Sequence, residues 1–166
     1  MTEQRRNRTP RIKRIARGQA LAEFALILPI LLGVVGGGID FSRAFAGSMT
    51  LQTATRNAAE AAAYDRLVTD QASAEARARA VVCTEAQNLP GFVPGAGGNV
   101  ATCTSPSVSV TYALDATAPG ANTRYPLVTV TVETTLDFDL VAPWPLLPNG
   151  AWPLGTTESF SIMRGR

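Results

Sequence analysis

The chain has 166 residues, 46% of them hydrophobic, with 15 basic and 13 acidic residues, two cysteines and no histidine. That length holds one domain and an anchor, and the missing histidine excludes a Ser-His-Asp triad, a Cys-His dyad and histidine-ligated zinc. Residues 1–18 carry seven basic side chains (Arg5, Arg6, Arg8, Arg11, Lys13, Arg14, Arg17) against Glu3, a net charge of +6, whereas the whole chain is +2, so residues 19–166 sum to −4. The sequence pI of 8.8 therefore describes the head of the chain. The body lacks the clustered basic groups of a nucleic-acid binder.

In chain order, residues 1–18 form a polar leader that reads as a cytoplasmic, positive-inside flank. Residues 19–39 are apolar except for Gln19 at the start and Glu23. About 20 helical residues span roughly 30 Å, the thickness of a hydrocarbon core. A carboxylate inside such a segment costs at least about 2.5 kcal/mol, so Glu23 marks a function by default. It lies five residues past Gly18, which ends the basic leader. The spacing suggests a cut after Gly18, leaving Glu23 fifth in a new chain that begins at Gln19. Pro29 and the glycines at 33, 36, 37 and 38 weaken the helix but are tolerated in a bundle. Gly33 and Gly37 fit the small-xxx-small pattern of close helix packing.

Asp40 and Arg43 mark the exit from the membrane. Residues 40–88 have a helix-forming composition and read as a helical stalk. Leu51, Ala54, Ala58, Ala61, Ala62 and Val68 recur at spacings of three or four, an alanine-lined stripe that needs a partner. One long helix to about Asn88, with a break near 65–70, is expected. Asn88-Leu89-Pro90-Gly91 stops it. Residues 89–166 read as a small antiparallel β region. Val108, Val110, Tyr112 and Leu114 alternate with polar residues, and Val128, Val130, Val132, Thr134, Leu136 and Phe138 repeat the pattern. Phe160 and Ile162 suggest a short last strand. The stretch around Trp144 and Trp152 reads as an irregular, proline-flanked connection, its indoles either packed or forming a contact patch. The fold class is α+β: a long N-terminal helix, membrane-spanning in its first half, then a sheet of about three strands. Cys83 and Cys103 both follow the apolar segment and most simply form one disulfide in an extracytoplasmic domain.

The run Gly18-Gln19-Ala20-Leu21-Ala22-Glu23-Phe24-Ala25-Leu26-Ile27-Leu28-Pro29, with Gly38-Ile39-Asp40-Phe41-Ser42-Arg43 and then Leu51-Gln52, Ala54, Arg56, Ala58 and Ala59, resembles the TadE-like family. These are minor pilins, or pseudopilins, of tight-adherence pilus systems. The resemblance is close over residues 17–63 and agrees only in kind over the sheet region. It implies cleavage by a prepilin peptidase between Gly18 and Gln19, and assembly with a pilus of the type IVb kind. Glu23 would then set subunit register by pairing with a neighbour's N-terminal ammonium, with Phe24 packing beside it. The implied partners are other pilin subunits, the prepilin peptidase, the inner-membrane assembly platform and the lipid bilayer. The leader is long and arginine-rich but leaves the motif intact.

Three other readings compete. Ala44-Phe45-Ala46 resembles a signal-peptidase site that would release a body starting at Gly47, although the apolar region is longer than an ordinary signal core. An uncleaved signal anchor carrying an extracytoplasmic binding module is the second. Catalysis is the third. Asp137 and Asp139 share one strand face, but no nucleophile, base and orienting group can be assembled around them. The expectation is therefore a protein that is not an enzyme, with no cofactor, no metal and no nucleic-acid partner.

Overall fold

The computed structural model describes residues 12–141 and 151–164, with side chains from residue 19 onward. The chain divides into two compact units, Met1–Ile39 and Asp40–Arg166. Helix α1, Ile12–Tyr64, crosses the boundary. Residues 12–18 of the leader are helical.

In the second unit, α1 buries Asp40, Ala44, Gly47, Leu51, Ala54, Ala58 and Ala62 on one stripe. Steps of three and four residues keep these positions on one face. The chain then turns. Asp65 accepts a hydrogen bond from the Leu67 amide at 2.9 Å. Asp70 is the N-cap of helix α2, Gln71–Ala86, and closes a reciprocal capping box with Ser73. The Ser73 amide and hydroxyl hold the Asp70 carboxyl below its usual range, as donors to an ionised carboxylate should.

Helix α2 doubles back along α1 instead of prolonging it. Asn57 Nδ2 donates to both Glu85 oxygens at 3.0 and 3.1 Å, and Arg77 pairs with Asp65 at 3.2 Å. High-numbered residues of one helix thus meet low-numbered residues of the other. The expected break is present, and the helical stalk of residues 40–88 is an antiparallel pair. Ala74, Ala78 and Val82 of α2 meet Ala58, Ala59, Ala62 and Ala63 of α1 in one core. Small side chains let the two backbones approach closely, and each helix supplies the partner that the shallow stripe of the other requires.

The sheet is an antiparallel meander of β1 (Ser107–Asp115), β2 (Leu127–Asp139) and β3 (Ala151–Met163), in the order β1-β2-β3. One face, led by Val108, Val110, Val128, Val130, Val132, Leu136 and Phe138, is buried. The hydroxyls of Thr55 and Thr134 are buried together at 2.6 Å, and Thr55 also donates to the Leu51 carbonyl at 2.8 Å. Both polar groups are therefore satisfied. The other face is exposed and carries hydroxyls, with Thr129 paired to Ser161 and Thr131 to Ser159, each at 2.9 Å. Period-two alternation dictates this division.

The last strand is longer than the sequence suggests. It begins at Ala151 and takes in Trp152 and Pro153, which pair with Phe138 and Asp137. A proline survives here because β3 is an edge strand, where one row of amides has no ladder partner. Trp152 is therefore strand, not irregular connection, and is 48% exposed. Trp144 lies outside the described residues. Asp137 and Asp139 stand on the exposed face of the central strand rather than at a sheet edge.

Candidate functional site

The first unit presents one apolar helical surface. Gln19–Tyr64 contains an 18-residue window of mean hydropathy 2.1, and none of that window is buried within the chain. Leu21, Phe24, Leu26, Ile27, Ile30, Leu31, Leu32, Val34 and Val35 are all at least 50% exposed. Soluble monomers rarely expose so continuous an apolar face. The helix is long and apolar enough to serve as a single-pass membrane anchor.

Glu23 is the only acidic residue among the described residues 19–39, and it is exposed. The Gln19 Nε2 donates to its Oε1 at 3.2 Å across one helical turn. At 100° per residue, Glu23 shares its stripe with Ile27, Ile30, Val34 and Gly37. Phe24 lies one position round the helix and is 57% exposed. The structure thus brings Gln19 and Glu23 together and leaves Phe24 open to whatever surrounds the helix. Gly18 lies within α1, so the peptide bond between Gly18 and Gln19 is helical.

Pro29 sits inside α1. It removes one amide donor and leaves the carbonyl of Ala25 without its helical partner. A methyl group built on Gly33 would meet no atom within 4 Å, and Gly37 is half-buried. Nothing in the described chain packs on Gly33, so any close approach there comes from outside the molecule.

In the second unit, Cys83 and Cys103 form a disulfide with a Cα–Cα separation of 5.5 Å. Both are buried. The bridge ties the last turn of α2 to the approach to β1, and the Cys103 amide sits 3.2 Å from the Cys83 sulfur. By chain-entropy reasoning, closing a loop of this size contributes about 3 kcal/mol.

Two features of this unit carry no local sequence signal. Asp40 is buried, accepts the Val141 amide at 2.9 Å, and lies 3.7 Å from Arg43. It fastens the segment just past β2 to α1. Gly47 lies against the Phe138 ring, where a Cβ would come within 2.9 Å of Cε2. No group of three or more metal-ligating side chains occurs among the described residues.

Residues 18–60 match the family model described as TadE-like protein. No curated protein and no solved structure matches the chain at a significant level. The match covers the anchor and the first turns of the body, the part in which Gly18, Gln19 and Glu23 lie, and it associates the chain with pilus systems.

Proposed function

We propose that this chain, TadE-like over residues 18–60, is the precursor of a minor pilin. A prepilin peptidase cuts it between Gly18 and Gln19 on the cytoplasmic face, and the product joins a tight-adherence pilus or its inner-membrane platform. Other pilin subunits are the remaining partners, and the body lies outside the membrane. The observation that carries this reading is the placement of Glu23. A lone carboxylate on a fully exposed apolar helix, fifth after the glycine, needs a counter-charge in a low-dielectric surrounding.

The chemistry is that of an ion pair formed on demand. In the uncut chain the Gln19 side-chain amide engages one carboxylate oxygen of Glu23. Cleavage creates an α-ammonium on Gln19. A neighbouring subunit's ammonium then reaches the second oxygen, and the cost of an unpaired charge in the bundle sets the axial register between subunits. Before cleavage, seven basic residues hold the leader on the cytoplasmic side and block that pairing.

The helical state of the scissile bond adds a requirement. A peptidase works on extended backbone, so the helix must open around residue 18. Glycine lowers the cost of that opening by about 1 kcal/mol relative to alanine. Its missing side chain also admits the backbone to the catalytic groups.

N-terminal sequencing and intact mass of the protein from its native membrane test the reading. A chain starting at Gln19 is expected, and a Gly18→Ile variant should remain uncut. A start at Met1 or Thr2 would replace the pilin reading with an uncleaved anchor bearing a binding module. A start at Gly47 would mean ordinary secretion. The burial of Ala44 and the packing of Gly47 on Phe138 speak against that last cut, because it would fall inside a packed helix.

A further inference from the structure

The second unit has a cleft of about 950 Å³ at the pole where α1 ends. The α1–α2 turn, the loop between β1 and β2 and the last residues of β3 build it. Its polar lining includes three arginines, Arg66, Arg124 and Arg164, and three tyrosines, Tyr64, Tyr112 and Tyr125. Among the described residues, no carboxylate lines it. A cleft walled by one sign of charge focuses its field on ligands of the other sign.

The arginines divide by role. Arg164 is committed to structure. Its guanidinium donates to the carbonyls of Ala63 at 3.1 Å, Asp65 at 2.6 Å and Val68, and it reaches the Tyr112 hydroxyl at 3.3 Å. It caps the C-terminus of α1, where a cation complements the helix dipole. Arg66 and Arg124 make no ion pair among the described residues, and both are exposed. The Arg124 guanidinium lies 5.8 Å over the Tyr125 ring, a contact that orients it without neutralising it.

Among the described residues, Asp65, Asp70 and Asp115 lie next in the chain to residues that line the cleft, and each is engaged. Asp65 pairs with Arg77. Asp70 caps α2. Asp115 accepts the Thr117 hydroxyl and amide, both at 2.7 Å, which hold its carboxyl below the usual range. Among the described residues, the arrangement therefore leaves two guanidinium forks without a counter-anion.

The rings narrow the chemistry of the ligand. Tyr64 is 59% exposed and Tyr125 46% exposed. The Tyr64 ring is held 5.5 Å from that of Phe160. Tyrosine offers a rigid, amphipathic contact at low entropic cost. Val128 and Ile162 supply apolar lining. Exposed rings beside free forks suit a saccharide ring, whose faces carry C–H groups and whose rim can carry carboxylate, since guanidinium binds carboxylate bidentately. We propose that this cleft binds an acidic saccharide, with Arg66 and Arg124 on its carboxylates and Tyr64 and Tyr125 against its rings. The inference is independent of the pilin reading, because the N-terminus of the mature chain does not bear on it.

The test uses the full chain in phosphatidylcholine nanodiscs, titrated by calorimetry with tetragalacturonate. Binding is expected, weakening several-fold as sodium chloride rises from about 50 to 300 mM, because the contacts are ionic and exposed. The pair Arg66→Gln and Arg124→Gln should weaken binding at least tenfold while leaving the melting temperature unchanged. Arg56→Gln, an exposed arginine outside the cleft, should leave binding as it is. Absence of binding, or binding retained by the double variant, overturns the proposal. So does binding of equal strength by neutral maltotetraose, by inorganic phosphate or by a tetraglutamate peptide. If the double variant melts lower, Arg66→Lys with Arg124→Lys decides the matter. Full affinity in that charge-preserving pair would remove the role of the forks.

Discussion

Glu23 has a polar neighbour in its own chain, the Gln19 amide at 3.2 Å, but no charged one among the described residues. An amide softens the burial of a carboxylate and does not neutralise it. Glu23→Ala should therefore leave insertion and cleavage close to normal, since neither needs the charge. Assembled pilus should fall about tenfold or more, the equivalent of ~1.4 kcal/mol lost from subunit pairing. Surface pilin measured against total mature pilin in the membrane checks this, and unchanged assembly would remove the registry role. Glu23→Gln should behave like the alanine variant, because hydrogen-bonding capacity without charge cannot hold an ammonium.

Among the elements, the joint between α1 and β2 is the tightest. Gly47 faces the Phe138 ring with room for a hydrogen and not for a carbon. Gly47→Val should cost about 2 kcal/mol through overpacking and lower the melting temperature by roughly 6–12 °C, as circular dichroism would show. The outer edge of β1 is covered by helix α2. The Gln71 side chain donates to the Val110 carbonyl and accepts the Tyr112 amide at 2.8 Å, and Arg79 reaches the Val108 carbonyl at 3.3 Å. Side chains of α2 thus occupy backbone groups that β1 would otherwise offer to another strand. The helix and strand periods were legible in the sequence because burial imposes them directly. The fold-back of α2 was not, since an alanine stripe states that a partner exists and not which one. The start of β3 was hidden for a different reason. Pro153 and Gly155 read as breakers, and only their place on an edge strand makes them compatible with pairing.

At the scale of the whole molecule, the division at residue 39 separates two ways of placing apolar side chains. The first unit exposes its apolar side chains, whereas the second buries its own core of alanine, valine, leucine and phenylalanine. A chain beginning at Asp40 retains all of that core and the disulfide. It should be soluble, elute as a folded species on size exclusion and melt in one cooperative transition. Aggregation or a gradual melt would mean that the body depends on residues 1–39. Cys83, Cys103, Glu23 and Gly18 could each be singled out from sequence because their chemistry or spacing is local. The arginine cleft could not, because Arg66, Arg124 and Arg164 are far apart in the chain and line one cleft only when the end of α1, the α1–α2 turn and the sheet close at one pole.

The bridge between Cys83 and Cys103 also changes what a broken chain would look like. The segment it encloses includes an exposed stretch from Val93 to Asn99, apart from half-buried Gly95, the kind of place where an extracellular protease cuts first. Such a cut would not release a fragment. The helices and the sheet would remain one covalent body, joined through sulfur instead of through backbone, and gel mobility would betray the damage only after reduction. On the pilin reading proposed above, a subunit nicked in that loop keeps its covalent link from α1 to the sheet.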